Sequence, residues 1–343
     1  MKTFAIVLLC LTAVFALPLE KSVKDDEPSE EGWFVPQLDG SFKWMTMEDA
    51  EMEVRREERG RKAKPLNVEF YLYTRDNPDK PDKIFLNDVE SLKKSHFNKK
   101  YPTRFIIHGW QNSYKSDVNV EIREALLETG EFNVISVNWS KKAGKLIYST
   151  SASYVPDVGE IVAQMVDFLV AKGGMSIKTL NLIGHSLGAH AAGYAGKNIS
   201  KGKVPVIIGL DPALPLFKLN DCEKRLCETD ASYVESIQTN GGLLGFLEPI
   251  GKAAFYPNGG KSQPGCGLDM TGTCSHSRSY IYYAEAIRED YFTSLKCEDW
   301  TNAVKKDCEE NAGIAKLGNP RNFKYASGTY LTPVNKKSPY GMN

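Results

Sequence analysis

Residues 184–188 read Gly-His-Ser-Leu-Gly, behind an apolar run at 180–183 and ahead of the small residues Ala189, Ala191, Ala192 and Gly193. A Gly-x-Ser-x-Gly turn between a strand and a helix holds a serine hydroxyl out for nucleophilic attack, and its glycines stand where a side chain would collide. The hydroxyl of Ser186 attacks an ester carbonyl only if a base takes its proton, and a third group must orient that base. Where this elbow occurs, the order along the chain is Ser, then Asp or Glu, then His. The chain has five histidines, at 96, 108, 185, 190 and 276, and only His276 lies well downstream of Ser186. His276 is therefore the candidate base, in a loop entering an expected helix at 280–287. Asp211 is the candidate acid, because it closes the apolar run 206–210, one helix and one strand beyond Ser186. Asp221, Asp230 and Asp269 lack that placement. The oxyanion formed on attack needs backbone donors, expected from Leu187, directly after the nucleophile, and from Trp110 at the end of Phe105-Ile106-Ile107-His108-Gly109-Trp110. His108 is expected to brace that loop rather than take part in chemistry.

Such groups must be positioned by a sheet. Segments 68–73, 104–107, 133–139, 206–210 and 233–238, with apolar and β-branched residues recurring along each, read as strands. Val155, Val158, Val162, Met165, Val166 and Leu169 recur at helical spacing and predict a helix over 154–172. Strands alternating with helices predict an α/β fold, a mostly parallel central sheet with helices on both faces. In such sheets ligands bind beyond the carboxyl ends of the strands, where Ser186, Asp211 and Trp110 all fall.

Residues 1–16 combine Lys2 with an apolar run and end in Val14-Phe15-Ala16, the pattern of a secretory signal peptide. No later stretch approaches the roughly 20 apolar residues that span a bilayer. Secretion to the extracellular space is expected, with only peripheral lipid contact. Lysine plus arginine and aspartate plus glutamate are equal at 43 each, which leaves no basic field for nucleic acid. Of seven cysteines, Cys10 falls in the signal, and an even number in a secreted chain reads as disulfides. Many pairings are formally open. The simplest joins neighbours: Cys222 to Cys227, Cys266 to Cys274, and Cys297 to Cys308. No ligand pattern suggests a metal or another cofactor, and none is expected.

Residues 17–64 are strongly charged, with apolar islands at 32–36 and 42–45 and helical character near 47–59. One expectation is a solvated N-terminal extension. The other is a propeptide, suggested by Arg55-Arg56 and by the basic residues at 59–62. The hydrolase domain is expected over 65–343. Asn198-Ile199-Ser200 is a glycosylation sequon.

Together IIHGW, GHSLGAH, GLDPA, FYPNGG and CSHSRS resemble the pancreatic lipase family, in particular its secreted insect phospholipases A1 and midgut neutral lipases. The resemblance covers about residues 66–340 and implies an α/β-hydrolase fold with the triad Ser186, Asp211 and His276. Four departures refine it. No C-terminal β-sandwich domain is expected, and with it no colipase partner. The family's lid aligns with Gly267, Leu268, Asp269, Met270, Thr271, Gly272 and Thr273, too few residues for an amphipathic helical cover. The loop at 241–255 is short as well, and its Leu243, Leu244, Phe246 and Leu247 are expected to be exposed and to touch a lipid–water interface. The vertebrate calcium loop aligns with 221–230, where Cys222 and Cys227 replace two carboxylates, so a disulfide is expected in place of the ion. The resemblance implies a serine ester hydrolase of glycerolipids, foremost a phospholipase A1 that also takes galactolipids. A triacylglycerol lipase is the alternative within the family, and a non-catalytic lipid-binding or storage protein the alternative outside it.

Overall fold

The computed structural model describes residues 31–60, 66–309 and 313–342. The expected signal peptide, Cys10 and the basic residues Arg61 and Lys62 lie outside the described residues. In chain order the strands are β1 (Gly32–Pro36), β2 (Phe42–Thr46), β3 (Glu69–Tyr73), β4 (Asp82–Ile84), β5 (Thr103–Ile107), β6 (Asn133–Asn138) and β7 (Leu180–His185). There follow β8 (Val206–Leu210), β9 (Tyr233–Ile237), β10 (Ala253–Pro257), β11 (Thr293–Cys297), β12 (Ile314–Lys316) and β13 (Gly328–Thr332). Eleven of them form one sheet in the order β12-β11-β13-β10-β9-β8-β7-β5-β6-β3-β4. From β6 through β5, β7, β8, β9 and β10 to β13 every pair is parallel. At the two ends, β3, β4, β11 and β12 pair antiparallel.

Period-two alternation sends successive residues to opposite faces, and both faces are buried. On β5, Phe105 and Ile107 enter one core and Ile106 the other. The first core is closed by the helices Val155–Gly173 and Leu187–Asn198 through Val158, Val162, Met165, Ala191 and Ala195. The second is closed by Asp117–Thr129 and Thr273–Arg288 through Ile122, Leu126, Tyr282 and Tyr283. All three of Phe105, Ile106 and Ile107 are fully buried, each contributing roughly 1.5–3 kcal/mol. This is the expected mostly parallel sheet covered on both sides.

The expectation of a solvated segment does not describe residues 32–60. β1 and β2 form an antiparallel hairpin that leads into the helix Met47–Gly60. Its Trp33, Val35 and Met45, with Ala50 of that helix, are buried in the first core. Glu51 pairs with Lys218 at 2.5 Å. Alternation explains the packing: the same faces that bury Trp33 and Val35 leave Phe34 half exposed, edge-on to Trp44. Residues 32–343 cluster as one unit.

Glu235 sits on β9 with 1% of its surface exposed. Its carboxylate accepts from Tyr233 Oη, Asn322 Nδ2 and Gly318 N, each at 2.8 Å. Those bonds favour the charge, but burial outweighs them and pushes the carboxyl up from 4.5 to about 7. A carboxyl raised on folding binds more protons folded than unfolded, so its contribution to stability falls as pH rises between those two values. The loss amounts to roughly 3 kcal/mol once the group is ionised. Thermal denaturation across that range is expected to show this slope in the wild type and not in Glu235→Gln.

Candidate active site

Ser186 links β7 to the helix Leu187–Asn198 with φ 57° and ψ −125°, a conformation that costs a non-glycine residue roughly 1–3 kcal/mol. The surroundings enforce it. A Cβ on Gly188 would lie 2.0 Å from Ile107 O, and one on Gly184 2.2 Å from Gly188 O, so helix and strand meet only with glycine at both. The Ser186 N–H donates to Leu210 O at 3.0 Å, tying the elbow to β8. Leu187 opens the helix, so its N–H is among those with no acceptor within the helix. The turn after β5 packs on the elbow, where a Cβ on Gly109 would stand 2.7 Å from Ser186 Cβ. Trp110 follows at once. Its indole donates to Lys145 O at 2.8 Å, and its carbonyl accepts from Asn112 Nδ2 at 2.7 Å.

Asp211 is fully buried directly after β8. Oδ1 accepts the N–H groups of Thr239 and Asn240 at 2.6 and 2.9 Å, and Oδ2 bonds His276 Nδ1 at 2.5 Å. The structure thus brings together the Asp211–His276 pair and places Ser186 and His276 on one cavity of about 290 Å³. His276 is not in a loop, as the sequence suggested, but in the first turn of the helix Thr273–Arg288. The helix starts early because the Asp269 carboxylate accepts from Cys274 N at 3.3 Å and Ser275 N at 2.7 Å, satisfying two otherwise orphaned donors.

Three other histidines are tied into this site and held neutral. His185 lies beside His276, ring centroids 4.4 Å apart, and its Nε2 donates to His276 O at 3.3 Å. Burial, then the proximity of His276, holds it well below the ordinary histidine range. It therefore adds no cation next to an imidazolium formed on His276. His108 donates from Nδ1 to Gly109 O at 3.0 Å and accepts Trp139 N–H on Nε2 at 3.3 Å. Burial lowers it to about 4, as befits the brace expected from the sequence. His190 donates from Nε2 to Ala213 O at 2.7 Å and accepts Leu226 N–H at 3.1 Å, pinning the elbow helix to the segment after Asp211. Burial lowers it to about 3. Neither the His185 nor the His190 role was legible in the sequence, since each partner is remote along the chain.

All three neighbour pairings of cysteines are present: Cys222–Cys227, Cys266–Cys274 and Cys297–Cys308. The second closes the loop at 267–273, which has no helix before Thr273 and leaves Leu268 and Met270 89% and 77% exposed. The first closes the loop at 221–230. There Lys197 Nζ donates to Arg225 O at 2.9 Å and Asp230 Oδ1 at 2.5 Å. The Lys197 ammonium thus holds the Arg225 carbonyl and the Asp230 carboxylate, two oxygens that a divalent cation in this loop would need. Cys266, Asp269 and Cys274 also converge, but the cysteines are joined and Asp269 caps the helix.

Asp230 is 2% exposed on its side chain, and Lys197 is its counter-charge. Lys197→Met leaves that carboxylate buried and unpaired and is expected to cost about 3–5 kcal/mol in urea denaturation. Burial already raises the Asp230 carboxyl, so the loss shrinks at acid pH, where the group takes up a proton.

One expectation is corrected. The loop after β9 does not expose its apolar residues: Phe246 is 1% exposed, and Leu243, Leu244 and Leu247 are partly covered. Leu214 N donates to Leu244 O at 2.9 Å and Phe246 N to Pro212 O at 2.9 Å, which folds the loop back over the segment after Asp211.

A mostly parallel sheet with helices on both faces and a serine elbow between β7 and its helix defines an α/β-hydrolase. Residues 41–340 match the Lipase family, and the chain belongs to it. It is similar to Phospholipase A1 2 of Vespa affinis, 36% identical over 291 residues, 80% of this chain and 86% of the other. With Phospholipase A1 of Vespula vulgaris it shares 40% over 251 residues, 68% of this chain and 73% of that one. With Phospholipase A1 of Vespa velutina it shares 36% over 299 residues, 82% and 96% of the two chains. The protein is a carboxylic ester hydrolase. Among the described residues, no helix is long and apolar enough to cross a membrane.

Proposed function

We propose that this hydrolase is a secreted phospholipase A1 that cleaves the sn-1 ester of phospholipids and galactolipids through Ser186, His276 and Asp211. Ser186 Oγ attacks the ester carbonyl while His276 Nε2 takes its proton. The oxyanion rests on the N–H groups of Leu187 and Trp110, each donor worth roughly 2.7–4 kcal/mol of barrier. His276 then protonates the departing glycerol oxygen, and water, activated by the same imidazole, frees the fatty acid. Asp211 keeps the proton of the neutral imidazole on Nδ1. The observation that carries the substrate assignment is the loop closed by Cys266–Cys274: its residues 267–272 form no helix, which supports a cavity mouth with room for a polar head group. The phospholipases A1 among its relatives support the same assignment.

The enzyme needs no calcium in this proposal, because the Cys222–Cys227 disulfide and Lys197 hold the loop at 221–230. EDTA is expected to leave its rate unchanged. Fatty acid release from phosphatidylcholine, monogalactosyl diacylglycerol and triolein tests the substrate class. Faster release from the first two is expected; release from triolein alone would identify a triacylglycerol lipase instead.

A further inference from the structure

The cavity that holds Ser186 and His276 has a wall from outside the α/β sheet. Pro36, Gln37, Leu38, Gly40, Ser41 and Phe42, the turn of the β1–β2 hairpin and its flanks, line it together with Trp110, Tyr148 and Leu244. The turn is closed by Gln37 N donating to Ser41 O at 2.9 Å and Gly40 N to Gln37 O at 3.1 Å. The Asp39 carboxylate braces it by accepting Ser41 N at 3.0 Å and Ser41 Oγ at 2.6 Å. It also reaches the loop at 267–273, since a Cβ on Gly40 would lie 3.3 Å from Thr271 Cγ2.

We infer that this hairpin is a fixed wall of the substrate cleft, retained in the working enzyme, and that Leu38 and Phe42 contact the acyl chain and set chain-length selectivity. The inference rests on the ester-hydrolase assignment of Ser186. Two observations carry it. First, the hairpin is anchored as core: Trp33, Val35 and Met45 are each at most 7% exposed and belong to the cluster that includes Leu187 and Ala189 of the elbow helix. A segment built for removal would leave those side chains' partners bare to water; an integral wall would not. Second, its cavity-facing side chains match an alkyl ligand. Leu38, half exposed, and Phe42, half buried, line the same cavity as Trp110, Tyr148 and Leu244. Alkyl chains are read by such contacts with modest discrimination per methylene.

The test uses the full secreted chain with Leu38→Ala and Phe42→Ala, and p-nitrophenyl butyrate and palmitate as probes. The ratio of kcat/KM for palmitate over butyrate is expected to fall about 10-fold in each variant. A ratio equal to wild type in both variants would overturn the wall. Leu38 lies on an exposed turn, so its variant is expected to fold; a thermal midpoint near wild type verifies this. N-terminal sequencing of the active secreted protein is the second measurement. A start upstream of Gly32 is expected, whereas an active form starting beyond residue 60 would make the hairpin a removable cover. Wild-type protein that releases no acid from either probe or from phosphatidylcholine, monogalactosyl diacylglycerol and triolein would instead refute the hydrolase role of Ser186, an outcome distinct from an unchanged ratio.

Discussion

Ser186→Ala is expected to lower kcat on phosphatidylcholine in mixed micelles by roughly 10⁶-fold while the protein stays folded. The other hydroxyls lining the cavity, those of Ser41, Tyr148, Thr271, Thr273, Ser277 and Tyr280, do not sit on the elbow turn. The residual rate would come from the Leu187 and Trp110 donors and from substrate binding, which do not need the nucleophile. The strained backbone at residue 186 is enforced by the close contacts at Gly184 and Gly188, so alanine keeps the same conformation. Circular dichroism and a thermal midpoint near wild type would show that the loss is chemical rather than structural.

Asp211→Asn is expected to lower kcat about 10⁴-fold with the fold intact. The geometry fixes how the new amide would lie. Thr239 and Asn240 both aim N–H groups at one oxygen, so the asparagine must keep its carbonyl oxygen there and turn its NH₂ toward His276 Nδ1. His276 Nδ1 then becomes an acceptor, the proton moves to Nε2, and the imidazole can no longer receive the Ser186 proton. Asp211→Ala would not make this distinction, because it also strands the two N–H donors in a buried site. A pre-steady-state burst that disappears in Asp211→Asn, with KM little changed, is the expected signature.

The candidate site was legible in the sequence because its chemistry depends on order. A lone downstream histidine and an aspartate at a strand end sufficed to name His276 and Asp211. The parallel strands that carry the site were legible too, as short, mostly apolar segments at 104–107, 180–183 and 206–210. What stayed hidden was set by contacts remote in sequence. The Thr239 and Asn240 donors come from the loop after β9, and the Lys197–Asp230 pair joins a helix to a loop 33 residues on. The short antiparallel strands β11 and β12 carry little periodicity and take their place from pairing, β11 with β13 and β12 with β11. The helix around His276 starts earlier than its apolar pattern, because Asp269 caps it from the preceding loop. Composition misled over residues 32–60. Their charge reads as solvated, yet alternation along two short strands puts Trp33, Val35 and Met45 on one inward face. It misled again at 243–247, where apolar residues in a loop read as exposed but are folded back onto the segment after Asp211.

The central claim, an sn-1 phospholipase acting through Ser186, is tested most directly by the products of 1-palmitoyl-2-oleoyl phosphatidylcholine. Wild type is expected to release palmitate and leave 2-oleoyl lysophosphatidylcholine, and Ser186→Ala to release neither acid. Oleate as the first product, or equal palmitate release by Ser186→Ala, would contradict it.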